Sequence, residues 1–422
     1  MRVLLVGVST RAMAESAVRA GYDVLSVDGY GDLDNPATPA LSLARDFGVE
    51  YSAHAVTAAA ARLELHYDAV CYGSSLENHP REVALLASRA ALWGNPPAVL
   101  RRARSAVALS RLLRSRVGTG AFARASAGDD SREWLIKPRA SGGGHDITAW
   151  HPGDALPRTH VLQERIDGTP GSIAFVARDG RAIPFAISRQ LVGDAHFGAA
   201  AFQYCGSILS NRPRSLIDAA TECAHLLAEE LSLAGLACLD FVATADGVPH
   251  AIELNPRYSA SMELAERAFG YPVFAAHARA FAPAEDRATR PIPNFDLAGS
   301  LRSIGAVGKA VLFAPATLTM PDTRPWLADP DVRDVPHSGE TIPRGHPVCT
   351  IFATARDDAA CYDVLVRKAG EIYERMKETG DGRRERGTAK GSGGRVQGSG
   401  TARPTSHPRA YGLTVIPAHA GS

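Results

Sequence analysis

Lysine is nearly missing from this 422-residue chain, with five lysines against 41 arginines. A bias of that kind follows genomic base composition, and it makes any lysine in a chemically suggestive place conspicuous. Cysteine is sparse too: six residues (Cys71, Cys205, Cys223, Cys238, Cys349, Cys361) are scattered, with no Cys-x-x-Cys pair. That spacing argues against a zinc framework or a disulfide scaffold and predicts reduced, buried thiols. An excess of one charge is also absent, since 46 basic residues meet 45 acidic ones for a formal net charge of +1. A dedicated nucleic-acid binder would carry a basic excess. No apolar run approaches the ~18 residues that span a bilayer, and the apolar stretch at Met1–Gly7 is too short for a signal peptide. The expectation is a soluble cytoplasmic protein with neither nucleic acid nor membrane as partner. What is present, 45% hydrophobic and 22% charged residues, is ordinary globular composition with enough length for two or three domains.

The first hundred residues alternate strand and helix signals. Arg2–Val6 is a continuous apolar run, as expected of a strand buried on both faces of a parallel sheet. A turn at Gly7–Thr10 leads into a helical pattern that ends at Gly21, and Tyr22–Val27 and Tyr67–Tyr72 read as further strands. Helices are predicted over 40–47, 56–65 and 81–91. This rhythm predicts a doubly wound α/β domain over 1–98. The turn Gly7-Val8-Ser9-Thr10-Arg11-Ala12 lacks the three glycines of a dinucleotide fingerprint, which argues against nicotinamide binding. Ser9, Thr10 and Arg11 could seat a small anion at the helix start, or the hydroxyls could merely cap it.

A helix predicted over about 99–116 carries several of the eight arginines between 101 and 132 and leads into a second unit, 99–290. There Trp134–Lys137 is a strand ending in one of the rare lysines, and Ser141-Gly142-Gly143-Gly144 follows. A lysine at a strand end beside a glycine loop suits phosphates. Val161–Glu164 is a strand running into the Asp167-Gly168 turn. A helix over 214–231 precedes a β-hairpin over 237–254 that holds Asp240 and Glu253 and runs into Asn255, Pro256 and Arg257. Residues 253 and 255 are two apart and share a face. Asp, Glu and Asn oxygens on one face suit Mg²⁺, which shares its coordination with phosphates and water. Arg257 next to them could stabilise charge on a transferring phosphoryl group. The plain alternative is a hairpin whose acids face solvent. Residues 291–378 predict a small C-terminal α+β unit ending in a helix, and 379–422 hold ten glycines, seven basic residues and two acids without periodicity. That composition predicts a disordered tail.

Taken in order, Lys137, the glycine loop, Gln163-Glu164 and the Asp240…Glu253-x-Asn255-Pro256-Arg257 pattern resemble the ATP-grasp superfamily over about residues 1–375. The opening Val6–Arg11, Gly29–Asp34 and Asn95-Pro96-Pro97, with the 334–353 region, look like a subgroup of ATP-dependent carboligases related to biotin carboxylase. The resemblance associates that subgroup with one-carbon cofactor biosynthesis. It implies a pre-ATP-grasp domain, an ATP-grasp catalytic domain and a C-terminal domain. It also implies ATP with Mg²⁺ (or Mn²⁺) as cofactors, Lys137 and Ser141–Gly144 on the phosphates, and Gln163, Glu164 and Ile166 around adenine. Asp240, Glu253 and Asn255 would then be the metal ligands, with Arg257 and Lys137 catalytic.

By the same resemblance the function is an ATP-dependent ligase: a substrate carboxylate becomes an acyl phosphate that an amine attacks. Bicarbonate activation of the biotin-carboxylase kind and a non-catalytic nucleotide-binding protein remain alternatives. Ser9, Thr10, Arg11, Glu77, Asn78, Gln190 and Tyr204 are candidate substrate contacts. A homodimer is compatible with the sequence, which sets no oligomeric state. Two positions depart from the superfamily pattern. Arg104 stands where many members have a phosphate-contacting lysine, and Pro170 stands where relatives often carry an acid for the ribose.

Overall fold

A computed structural model describes residues 1–119, 121, 123–124, 132–287, 291–295, 297 and 305–381. From residue 382 onward, the tail expected at 379–422 lies outside them. Strands β1 (Arg2–Val6), β2 (Asp23–Asp28), β3 (Ala40–Ser42), β4 (Ala69–Tyr72) and β5 (Ala91–Leu92) form a parallel sheet in the order β3-β2-β1-β4-β5. Alternate residues of β1 enter different cores, Val3 and Leu5 one and Leu4 and Val6 the other. That two-sided burial is why the strand is apolar throughout rather than alternating. Because β1 lies between β2 and β4, the loops leaving β1 and β4 run side by side. A Cβ on Gly7 would stand 3.1 Å from the Gly73 Cα, a tight contact that glycine avoids. A switch point of this kind, at the carboxyl ends of the strands, is where open α/β sheets bind ligands.

A four-stranded sheet follows in the order β6-β9-β7-β8, made of β6 (Ala123–Arg124), β7 (Trp134–Pro138), β8 (Thr148–Trp150) and β9 (His160–Glu164). The largest sheet has the order β14-β13-β10-β11-β12-β15-β19-β17. Its members are β10 (Thr169–Arg178), β11 (Arg181–Val192), β12 (Tyr204–Leu209), β13 (Gly235–Ala243), β14 (Pro249–Asn255), β15 (Ala306–Phe313), β17 (Val332–Arg333) and β19 (Pro347–Ala355). The short strands β16 (Leu318–Thr319) and β18 (Thr341–Ile342) pair separately. Since β12 pairs with β15, the C-terminal strands continue the sheet that carries the 235–255 hairpin. Helix Arg214–Leu231 buries its apolar side against this sheet through residues such as Ala220, Ala224 and Leu227. No helix among the described residues is long and apolar enough to cross a membrane.

Three expectations about helices change. Residues 40–42 are a strand, because Ala40–Ser42 pairs with the edge of β2, and only Leu43–Asp46 is helical. The helix predicted over 81–91 spans Pro80–Ala87 and stops short of β5, which pairs with β4. The helix predicted over 99–116 breaks into Pro97–Ala103 and Ala106–Val117. Ser105 leaves helical geometry there, and its hydroxyl accepts from the Ala108 N–H at 3.3 Å. A serine that can cap competes with helix continuation. The break leaves Arg104 at a helix end, with its side chain turned inward.

One buried carboxylate joins the three parts. Glu263, on helix Met262–Phe269, accepts from Arg11 of the first sheet's helix at 2.5 Å and from Lys309 of β15 at 2.7 Å. Burial alone would raise the Glu263 carboxyl, but the Arg11 and Lys309 charges hold it below the usual carboxylate range. Removing one member of such a cluster leaves buried charge uncompensated. We expect Glu263→Ala to lower unfolding stability by about 3–5 kcal/mol in urea titration at neutral pH. A folded pKa below the unfolded one gives stability that is present above the unfolded value and lost as pH falls. Glu263→Gln should therefore flatten the acid limb of the stability curve relative to wild type.

Candidate active site

The 235–255 hairpin brings the acids together as the two-residue spacing requires. Asp240 on β13 lies opposite Glu253 on β14, and Cys238 lies opposite Asn255, so all four side chains share a face. This face forms one wall of a cavity of about 490 Å³, and Lys137 on β7, the Ser141–Gly144 loop and Gln163–Ile166 line it opposite.

At the centre, Lys137 Nζ donates to Glu253 Oε2 at 2.5 Å and Arg104 Nη1 meets Glu253 Oε1 at 2.6 Å. The arginine in place of the expected lysine thus reaches the same carboxylate as Lys137. Arg104 also donates to Asn78 Oδ1 (2.8 Å), the Leu254 carbonyl (2.8 Å) and the Ser141 carbonyl (3.1 Å). A planar guanidinium can serve four acceptors at once where an ammonium offers only three donors. Burial alone would raise the Glu253 carboxyl, but Arg104 and Lys137 bring it well below the ordinary range. Asp240 goes the other way: burial and the Glu253 charge push it up to about 7, opposed by Lys137 and Arg257. Two neighbouring carboxyls with pKa values driven apart mark a chemically specialised site.

The remaining contacts sort the candidate residues. Gln190 on β11 donates to Asp240 Oδ1 at 2.9 Å, and Asn255 Nδ2 donates to Asp240 Oδ2 at 2.8 Å. Asn255 Oδ1 faces Arg104 (3.2 Å) and Arg257 (3.4 Å). Arg257 is held by Glu77 at 2.8 Å, and Glu77 is 1% exposed. Glu77 and Asn78, expected at a separate substrate site, therefore sit behind Arg257 and Arg104. Tyr204 lines the same cavity, and its hydroxyl shares a hydrogen bond with Ser207 at 3.0 Å. Gln163 donates its amide to the Ile252 carbonyl at 2.9 Å, so it braces the hairpin against β9.

Ser9 and Arg11 line a different cavity, described below. Thr10 lines neither of the two cavities. It is fully buried, and its hydroxyl donates to Asp28 at 2.6 Å and makes no cap hydrogen bond. The glycine loop is tied to its surroundings as well. Tyr204 N–H donates to the Gly143 carbonyl, and a Cβ on Gly144, at φ +78°, would run into the Phe202 carbonyl.

The donors fit a hard divalent cation: two buried carboxylates on paired strands, one of them held up near neutrality, with an amide beside them. Asn255 presents its NH₂ to Asp240, so ligation through Oδ1 requires the amide to turn over. Among the described residues no cluster of three or more His, Cys, Asp or Glu side chains stands ready for a metal, so remaining ligands would come from elsewhere.

A family model described as an ATP-grasp domain matches residues 113–261, the segment that holds β6 to β14 and this cavity wall. Over those residues the chain is similar to the ATP-grasp family. The solved structures with this fold show how widely it is shared. At a TM-score of 0.64 and 15% identity, the chain matches the biotin carboxylase domain of Hydrogenobacter thermophilus 2-oxoglutarate carboxylase, described with MgADP, ADP and bicarbonate. That match covers 88% of this chain and 89% of the other. An L-amino acid ligase from Bacillus licheniformis matches at 0.62 and 13%, covering 88% and 97%. Rhizobium etli pyruvate carboxylase matches at 0.64 and 15% over 87% of this chain, which spans only 37% of that protein's length. None of the curated proteins matches the chain.

Outside the ATP-grasp match, Arg104 and Glu77 complete the site, and Arg104 was legible only as a departure from a lysine. Its bond to the Ser141 carbonyl is charge-assisted, a class worth about 1.5–3 kcal/mol. We expect Arg104→Lys to keep the Glu253 pair but release the loop, accelerating amide hydrogen exchange at Gly142–Gly144 about tenfold or more, with the Arg2–Val6 core unchanged.

Proposed function

We propose that the chain is an ATP- and Mg²⁺-dependent carboxylate–amine ligase. The observation that supports this most is the bridge of Glu253 between Lys137 and Arg104, beside Asp240 and Arg257 in the lining of a cavity that a glycine loop also lines. Two cations on one carboxylate can hand their charge to phosphate oxygens without leaving the site. Loop N–H groups of Gly142–Gly144 would cradle the phosphates. Backbone groups of Glu164–Ile166 would meet the adenine edge, with Gln163 holding that segment against the hairpin.

In the first step a substrate carboxylate oxygen forms a bond to the γ-phosphorus, the bond from that phosphorus to the bridging oxygen breaks, and ADP leaves. Lys137, Arg104 and Arg257 stabilise the negative charge spread over the transferring group. In the second step the amine nitrogen attacks the acyl carbon, phosphate leaves with the C–O electron pair, and the nitrogen gives up a proton to form the amide. Asp240, Glu253 and, after its amide turns, Asn255 would hold Mg²⁺, which when bound supplies positive charge against the phosphates. Asp240, raised to about 7 in the protein alone, would exchange its proton for that charge.

The test is ADP release with a panel of carboxylates and amines, run with and without bicarbonate. The expected result is turnover that needs both a carboxylate and an amine and ignores bicarbonate. Asp240→Asn and Glu253→Gln should each lower it by at least about 100-fold. Bicarbonate-dependent, amine-independent ADP formation would replace this reading with a carboxylase. Undiminished turnover in Glu253→Gln would refute the site.

A further inference from the structure

A second cavity, of about 220 Å³, opens at the switch point of the first sheet. Its walls come from three parts of the chain: Ser9 and Asp32 from the first sheet's loops with Arg11 at the start of its helix, Lys309 from β15, and Asp334 after β17. It is separate from the nucleotide-sized cavity but not remote, because Ser74, Ser259 and Ala260 line both. A ligand here lies one wall away from Arg257 and the Asp240–Glu253 face.

Two groups in this cavity have no partner. Arg11 is among the largest fully buried side chains of the protein. Its Nε bonds Asp334 at 2.9 Å and its Nη1 bonds Glu263 and Glu15, yet Nη2 is buried with no hydrogen-bond partner. Asp32 Oδ2 is likewise buried without a partner. The two do not satisfy each other. Buried polar groups are nearly always paired, so one orphan donor and one orphan acceptor in one cavity call for a ligand that carries the opposite of each.

The charges specify that ligand further. Around Arg11 and Lys309 stand five carboxylates, Asp32 and Asp334 in the cavity lining and Asp34, Glu15 and Glu263 beside it. Glu263 is shared between both cations, Asp334 takes Arg11 Nε, and Asp34 accepts the backbone N–H groups of Asp334 and Val335. Asp32 is the one with a carboxylate oxygen that takes no hydrogen bond, and only the Arg11 charge opposes its burial. Burial and the like charges of Asp334, Asp28 and Asp34 push its carboxyl well above the usual range. The group that suits it is a cation with N–H donors, and the group that suits Arg11 Nη2 is an anionic or carbonyl oxygen. The volume is below the roughly 300–1,000 Å³ of drug-sized sites, so the molecule is small.

We propose that this cavity binds the amine co-substrate, a small α-amino acid whose ammonium group meets Asp32 and whose carboxylate meets Arg11. Its role as co-substrate rests on the ligase reading, while the binding itself does not. Asp32 is the residue to change, since its side chain takes part in none of the bonds that join the three parts of the protein. Removing its charge relieves repulsion from Asp334, Asp28 and Asp34.

The experiment is titration calorimetry of the full chain with single α-amino acids. The controls are the matching 2-hydroxy acids, which lack the amine, and the matching amines, which lack the carboxylate. We expect at least one α-amino acid to bind, both controls to bind about 10-fold more weakly or worse, and Asp32→Asn to weaken the amino acid about 10- to 100-fold. The Asp32→Asn variant should melt at the wild-type temperature or above. Where that amino acid supports ADP release, Asp32→Asn should raise its KM by the same factor. Equal affinity for the 2-hydroxy acid, unchanged affinity in Asp32→Asn, or no amino acid binding at millimolar concentration would overturn the site. Amino acid binding lost in Asp32→Asn without ADP release from any substrate pair would support the site and sink the ligase reading. ADP release from some amine whose KM ignores Asp32→Asn would do the reverse.

Discussion

A carboxylate buried in a cleft is costly unless charge and hydrogen bonds answer it, and Glu253 is answered by two cations from different parts of the chain. That requirement organises what lies around it. Lys137 must arrive at the end of β7, so the four-stranded sheet has to face the hairpin. Arg104 must arrive from the segment linking the first sheet to the second unit, so the helix there has to break. Arg104 then has donors to spare and uses them on Asn78, Leu254 and the Ser141 carbonyl. The position of the glycine loop is thus tied to the ionisation of one side chain. Asp240 responds to the same concentration of charge in the opposite sense, being pushed up to about 7 beside Glu253.

Glu263 repeats the arrangement some distance away, shared by Arg11 and Lys309. Two of the chain's five lysines therefore serve as partners of buried glutamates, and each of those glutamates also takes an arginine. The first bridge sits in the nucleotide-sized cavity and the second beside the smaller one. Ser74 and Ser259–Ala260 stand between them. The two cavities therefore share a wall.

The hairpin was legible because its chemistry lies within a short stretch of chain and its faces are set by the two-residue period of a strand. Lys137 was legible for a similar reason, a rare residue at a strand end. Arg104 was visible only as a missing lysine. Its entry into the site depends on Ser105 winning a local competition to cap, and a helical apolar pattern running through 99–116 conceals that. Gln163 could not be placed from sequence because whether an amide meets a ligand or the Ile252 carbonyl depends on another strand's register. Thr10 misled for the same kind of reason: its partner, Asp28, is 18 residues away on the next strand. Asp32 carried no local signal, since its orphan oxygen arises only when Arg11, Lys309 and Asp334 close around the loop.

Fold likeness does not decide between ligase and carboxylase here, since both kinds match the chain at 13–15% identity with TM-scores of 0.62–0.64. The wall of acids and cations would serve both readings alike, because either reaction begins by moving a phosphoryl group onto an oxygen. What distinguishes them is the second reactant, and that has to be recognised outside the hairpin. Bicarbonate is a small anion, and the carboxylates of Asp32 and Asp334 in the lining of this pocket, with Asp34 and Glu263 behind them, oppose it. An ammonium group is drawn to such a pocket, and an adjoining carboxylate gives the spare nitrogen of Arg11 an acceptor. On the proposed ligase reading, the smaller cavity would supply the amine delivered to the activated carboxylate.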